Sequence, residues 1–406
     1  MKLSVLGGVY HEYCFRPTWD NIYGSGLRAA MAIRSKTVDT EFITICSQRN
    51  PHSEMIDYCS KAFGFEVRRI ACQDEPICFD YIDPIEAPSC SFTSQSINNV
   101  LGIEAKLLLK FGMMECSVQT NSSKVVYDPQ NPDHPVLFDH DGSLAAQVVY
   151  VLNQGEAQKI TGKKDLDDCS EHLLMQPNVV CCIIKCGFYG AYVATKYAKR
   201  WIPVYQSDNI WLIGSGDIFS AIFAYHWLSG ETDFFQIANI ASYSTAQYSN
   251  DKSLNFSTVS YSNLTAFKPL PETSGSHIST YKIYLASPFF NSTQYSYLLK
   301  ILNILKKYDL NVFSPFHEIG VGDPLTIAEK DLKALKDSDL VLALLDDLDP
   351  GTIFEIGFAR AREIQVMILS ESLDEANSTM FIGSGCELYD DIATLLYKLI
   401  WKIVKN

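Results

Sequence analysis

Short apolar runs alternate along the chain with stretches whose apolar positions fall at the i, i+3, i+4 spacing of a helix. In the first two thirds, the runs that read as strands are KLSVLGG from Lys2, EFITICS from Glu41, KVVYDP from Lys124, VVYVLN from Val148 and VVCCIIKCG from Val179. In the last third they are KIYLAS from Lys282, LNVFSP from Leu310, DLVLALL from Asp339 and IQVMILS from Ile364, and YSYLLKILNILKKY (Tyr295 to Tyr308) is a helix after the first of these. Strands alternating with helices predict βαβ units, largely parallel sheets and an α/β fold. The pattern breaks once, at Lys268-Pro-Leu-Pro-Glu-Thr-Ser-Gly-Ser-His-Ile-Ser-Thr280, which is rich in Pro, Ser, Thr and Gly and has no apolar period. The expected organisation is therefore a first domain over 1–267, a linker over 268–280 and a second domain over 281–406. In sheets of this kind ligands bind at the carboxyl ends of strands.

Composition narrows the function classes. With 406 residues, two domains are the default. The formal net charge of −14 repels a phosphate polymer, so no nucleic-acid lattice is expected as a partner, although a ring of backbone amides can still bind a small phosphorylated ligand. The opening MKLSVLGGVY reads as a first strand rather than a secretory signal, and nothing approaches the length of a membrane span. Eleven of the twelve cysteines lie at or before Cys186, without C-x-x-C pairs, which suggests buried thiols in a reducing cytoplasm.

Candidate chemistry concentrates in IAEKDLKALKDSDLVLALLDDLDPGTIFEIGFARA (residues 327–361). Asp331 and Asp339 are expected on either side of a short helix, Asp349 in a turn built by Pro350 and Gly351, and Glu355 in the first turns of an apolar helix. Each acid has a bland alternative. Asp337 and Asp339 could solvate a helix end, Asp349 could be a turn residue, and Glu355 could be a charge on the helix dipole. Their joint spacing, with Ile283-Tyr-Leu-Ala-Ser-Pro-Phe-Phe290 and Val312-Phe-Ser-Pro315 before them, resembles the nucleoside 2-deoxyribosyltransferase family, whose relatives include nucleotide N-glycosidases. The resemblance implies a flavodoxin-like (Rossmann-type) domain in which Glu355 attacks the anomeric carbon. Asp331 and Asp349 would bind and protonate the leaving base, and Tyr284 would orient Glu355. It also implies substrate contacts from Ser287, Phe289 and Asp339, a contribution from Asn377 to a neighbouring subunit's site, and a homo-oligomer. No cofactor is implied for this step. An oxocarbenium-like transition state calls for a carboxylate nucleophile, and the leaving base calls for an acid of raised pKa.

A second constellation lies upstream. Gly214-Ser215-Gly216-Asp217 precedes an apolar helical run, where backbone N–H groups can cradle a phosphoryl group and Asp217 can take a proton from an attacking hydroxyl. The alternative is a helix cap after a glycine turn. With Tyr127-Asp-Pro129, Asn153-Gln-Gly-Glu156 and Lys185-Cys-Gly-Phe-Tyr-Gly190 at other strand ends, the segment resembles the ribokinase-like (phosphofructokinase B) family of ATP-dependent sugar and nucleoside kinases. That resemblance implies a three-layer α/β/α domain, ATP and Mg²⁺ as cofactors, and Asn153 and Glu156 organising magnesium and phosphates, Glu156 indirectly. At the sugar-recognition end it departs from the family. Arg28 stands in Gly24-Ser-Gly26-Leu-Arg28 where the family has asparagine, and no strand-one acid is evident in Gly8-Val-Tyr-His11-Glu12. An anionic substrate met by Arg28 and a kinase turned ligand sensor both fit these departures. The combined expectation is a bifunctional enzyme acting on a nucleoside, a nucleotide, a free base or a sugar.

Overall fold

The computed structural model describes residues 2–36, 38–70, 75–91, 101–271, 278–320, 322–373 and 375–405. It forms two compact units, Met1–Glu272 and Thr273–Asn406. Within the segment read as a linker, Lys268–Pro269 pairs antiparallel with Tyr205–Gln206 and Leu270 is buried, so these residues belong to the first unit. Residues 272–277 lie outside the described residues.

Unit 1 is built on a ten-stranded sheet. From Val179–Lys185 the order runs through Leu144–Asn153, Val118–Asp128, Leu107–Phe111, Lys2–Leu6 and Asp39–Thr44 to Glu66–Arg69, all parallel. Ala191–Thr195 and Lys199–Ile202 add an antiparallel hairpin at the other edge. The VVCCIIK strand does not alternate, because both faces of the sheet are covered. One face packs the helices Gly24–Arg34, Ser53–Phe63, Ser215–Leu228 and Phe234–Asp251. The other packs Gln154–Thr161 and Leu166–Leu174, which gives three layers, helix on sheet on helix. The Ser215–Leu228 helix is buried almost all round, so its polar Asp217 and Ser220 face the interior and must find partners there. A separate four-stranded sheet joins Trp19–Ile22, His11–Cys14, Cys78–Tyr81 and Ser89–Cys90. The sequence pattern missed it, because its strands are short and only partly buried. The eleven described cysteines are all free thiols.

Unit 2 is a five-stranded, wholly parallel sheet in the order Asn311–Phe313, Lys282–Ala286, Leu340–Leu344, Gln365–Leu369, Glu387–Tyr389. Numbered along the unit this order is 2-1-3-4-5, the flavodoxin-like arrangement, and it reverses beside the first strand. The carboxyl ends of Lys282–Ala286 and Leu340–Leu344 flank that switch point, where such sheets bind ligands. Among the described residues of either unit, no helix is long and apolar enough to cross a membrane.

Candidate active site

Four of the predicted side chains of unit 2 meet at this switch point. Tyr284 is buried on the first strand, and its hydroxyl donates to Glu355 Oε1 at 2.5 Å. Glu355 lies in the second turn of the helix Pro350–Ala361, whose Ile356 and Ala359 anchor it in the core. Burial pushes the Glu355 carboxyl up to about 7; the Tyr284 hydrogen bond pulls it down, while the charges of Asp331 and Asp349 raise it. The Phe313 ring, in register with Tyr284 on the neighbouring strand, stacks on the tyrosine at 5.8 Å and 22°.

Asp331 lies inside the helix Pro324–Lys336 rather than before a short helix. Its Oδ1 is buried and has no hydrogen-bond partner, and burial raises its pKa. A buried oxygen without a donor costs free energy until a ligand or water supplies one. Asp349 caps the Pro350–Ala361 helix, its Oδ2 accepting from Thr352 N at 2.8 Å and Thr352 Oγ1 at 3.1 Å. Pro350 at the first helical position suits its fixed φ. The preceding Leu348 is held at φ 50°, a left-handed conformation that a non-glycine residue rarely adopts and that strained functional loops often contain.

The remaining predicted residues of unit 2 divide. Ser287 and Phe289 follow the first strand at its carboxyl end. The Ser287 hydroxyl donates to the Pro288 carbonyl, and the Phe289 ring lies 4.7 Å from Phe316 and 5.0 Å from the exposed Phe290. Asn377 is exposed on the helix Glu375–Gly383. Asp339 is not with the others. It sits just before the Leu340–Leu344 strand, at the opposite end of the sheet, and its carboxylate accepts from Lys282 N at 2.8 Å. Asp339 therefore anchors the start of two paired strands, a task that explains an acid there without substrate.

In unit 1, Asp217 and Arg28 are brought together, with a partner that the sequence did not single out. Arg28 is 1% exposed and forms ion pairs with both Glu12 and Asp217, the latter at 2.5 Å. The other Asp217 oxygen accepts from Gln130 Nε2 at 2.5 Å, and Gln130 in turn accepts from Ser25 Oγ. Glu12 also accepts from Gly24 N at 3.1 Å; its burial raises its pKa, and the Arg28 charge opposes the rise. Gln130 is held at φ 48°. Gly214 adopts φ 78°, and a Cβ there would lie 2.2 Å from the guanidinium, so only glycine leaves room for Arg28 at this helix start. The expected anion hole thus carries a resident cation, and Arg28 is a buried structural partner rather than an open ligand for an anionic substrate.

A second polar group lies at neighbouring strand ends. Lys185 pairs with Asp128 at 2.7 Å, Ser220 Oγ donates to the same Asp128 oxygen at 2.7 Å, and a Cβ on Gly216 would come 3.2 Å from Lys185 Nζ. The Ser215 hydroxyl is turned back to Leu212 O at 2.8 Å. Asn153 and Glu156 form a capping box at the start of Gln154–Thr161, each side chain accepting from the other's backbone N–H. Burial, then the Asp128 charge, raises Glu156 to about 7. The cap engages Asn153 Oδ1 and one oxygen of Glu156, and among the described residues no group of three His, Cys, Asp or Glu side chains is gathered around a metal-ion position.

Glu12 lies in the short strand His11-Glu-Tyr-Cys, whose polar and apolar residues do not alternate and so give no sign that Glu12 faces inward, and nothing local marks Gln130. Only the packing of the Gly24–Arg34 helix against the Ser215–Leu228 helix brings Arg28 to Asp217.

Comparison with curated proteins gives no match. Among solved structures, unit 1 aligns with ribokinase-family kinases. A ribokinase from Thermotoga maritima matches at 14% identity over 65% of this chain and 98% of its own, with a TM-score of 0.45. A fructokinase double mutant from Vibrio cholerae O395, bound to fructose, ADP and potassium, matches at 13% over 66% and 97%, with a TM-score of 0.47. A nucleoside kinase from Methanocaldococcus jannaschii matches at 14% over 65% and 96%, with a TM-score of 0.44. In unit 2, residues 283–389 match the sequence profile of the family described as nucleoside 2-deoxyribosyltransferase, and this segment of the chain is a domain of that family.

Proposed function

We propose that unit 2 cleaves or transfers at the N-glycosidic bond of a (deoxy)nucleoside or nucleotide, with Glu355 as nucleophile. The observation that carries this reading is the 2.5 Å bond from Tyr284 to Glu355, beside an Asp331 oxygen that is buried and unpartnered. A Glu355 oxygen attacks the anomeric carbon as the bond to the base breaks, and the electron pair leaves with the base nitrogen. Asp331, its pKa raised by burial, supports the role of proton donor to that nitrogen. Asp349, fixed by Thr352, orients the base and keeps the helix start in place. Water or a second base then takes the sugar and frees Glu355. The Tyr284 hydroxyl favours the ionised form of Glu355 against the burial that opposes it. The test is incubation of the full chain with a panel of nucleosides and nucleoside monophosphates, reading free base by chromatography. Release from at least one member is expected, and release from none would overturn the reading.

For unit 1, the Arg28 arrangement favours the sensor reading over the kinase reading. A general base needs a free oxygen within reach of the hydroxyl it deprotonates, and both oxygens of Asp217 are engaged. We therefore infer a ligand-binding and assembly module that does not turn over ATP. Magnesium-dependent ATP turnover with sugars and nucleosides, abolished by Asp217→Asn, would restore the kinase reading.

A further inference from the structure

Unit 2 contains a cavity of about 450 Å³ that the glycosyl chemistry does not use. It lies beside the edge strand Asn311–Phe313, between that strand and one side of the Pro324–Lys336 helix. Phe313, whose ring stacks on Tyr284, forms part of its wall, whereas Tyr284, Asp331, Asp349 and Glu355 do not line it, so the cavity adjoins the Glu355 site while remaining outside it. Ile319 and Ala334 complete an apolar lining. Its rim carries Lys282, Lys330 and Lys333 against one carboxylate, Asp337.

That charge balance runs against the rest of the protein, whose formal net charge is −14. Some exposed lysines of this chain pair with carboxylates, as Lys2 does with Glu41 and Glu66 and Lys199 with Asp167 and Glu171. Lys282, Lys330 and Lys333 form no ion pair among the described residues. They come from two elements distant in sequence, the first strand and the helix Pro324–Lys336, and are brought to one opening by the fold. A concave surface lined by one sign of charge concentrates counter-ions, and its apolar walls strengthen the attraction. The Asn311 amide and Ser338 also line it and can bond hydroxyls. The volume lies within the range that holds a small organic ligand.

We propose that this cavity binds a small phosphorylated organic anion, a phosphomonoester whose body rests on Phe313 and Ile319 and whose phosphate meets Lys282, Lys330 and Lys333. Lysine suits this task as a mobile point charge that needs no fixed geometry.

The test is calorimetric titration of the full chain with ribose 5-phosphate, with ribose as the neutral control. Expected is one site per chain for the phosphate ester, weakened by salt, and none for ribose. The Lys330→Ala/Lys333→Ala double variant should lose about tenfold or more in affinity, since two of three charges are gone. Lys282→Ala, on a different element, should weaken binding in the same direction. All three lysines are exposed, so these variants keep the fold, which circular dichroism checks. Glu355→Ala should bind as wild type does, because the cavity lies outside the catalytic site. Three results would overturn the proposal: no binding at millimolar ester, undiminished binding in the lysine variants, or loss of binding in Glu355→Ala.

Discussion

Removing the Tyr284 hydroxyl separates a positioning role from simple packing. In Tyr284→Phe the ring keeps its stack on Phe313, and only the 2.5 Å bond to Glu355 is lost. A hydrogen bond to a charged group contributes about 1.5–3 kcal/mol, and one pKa unit corresponds to about 1.36 kcal/mol. The bond favours the carboxylate, so its loss should raise the Glu355 pKa by roughly one to two units above its starting value of about 7. The nucleophile must be ionised to attack. Wild-type kcat/KM should therefore rise with pH through an inflection near 7, and the variant's inflection should lie higher. At neutral pH the ionised fraction drops from about half to a few per cent, which predicts a roughly 5- to 50-fold loss in kcat/KM that recovers in alkaline buffer. The assay is base release across a pH series, with free base read by chromatography for both proteins. A uniform loss at every pH, with the inflection unmoved, would refute the claim that Tyr284 holds Glu355 ionised.

Glu355→Gln should stabilise the protein at pH 8 by roughly 2 kcal/mol and change little at pH 5, because a carboxyl whose folded pKa is raised destabilises the fold only where it must ionise; equal melting shifts at both values would contradict this. Arg28→Ala should destabilise unit 1 by roughly 3–5 kcal/mol, since it strands the Glu12 and Asp217 charges without their partner, and denaturant unfolding that matches wild type would exclude the buried triad. Asp349→Ala should cost about 1 kcal/mol through the lost cap, seen as a lower melting temperature alongside weaker base release. We propose that the exposed Phe354, Met380 and Ile382, 61%, 77% and 57% accessible, lie at the seam of a homo-oligomer that completes the Glu355 site. Phe354→Asp should then shift sedimentation toward monomer and lower activity, and a fully active monomer at micromolar concentration would contradict it.

The sequence carried the parts of this protein whose signals are local. The nine quoted apolar runs all fall on strands, because parallel strands buried on both faces read as continuous hydrophobic stretches. Asp331, Asp349 and Glu355 could be picked out together by their spacing along one segment, and Tyr284 joined them only through the family resemblance. What was hidden depends on contacts between distant elements. Asp339 shares the acidic spacing of its neighbours yet points to the other end of the sheet, which only the pairing with Lys282 reveals. Glu12, Arg28 and Asp217 are separated by 16 and 189 residues along the chain, and no sequence period links them. Asn153 and Glu156 have the spacing of a capping box as well as that of a family motif, and the backbone geometry shows the cap.

The most direct test of the central claim is the turnover of Glu355→Ala with whichever nucleoside or nucleotide the wild type cleaves. Glu355 is only partly buried and its neighbours Ile356 and Ala359 carry the core contacts, so the variant should fold and melt much as wild type does. Loss of a covalent nucleophile costs several powers of ten, so base release should fall below about a thousandth of the wild-type rate. A folded variant that keeps more than about a tenth of wild-type turnover would show that another group makes the bond to the sugar.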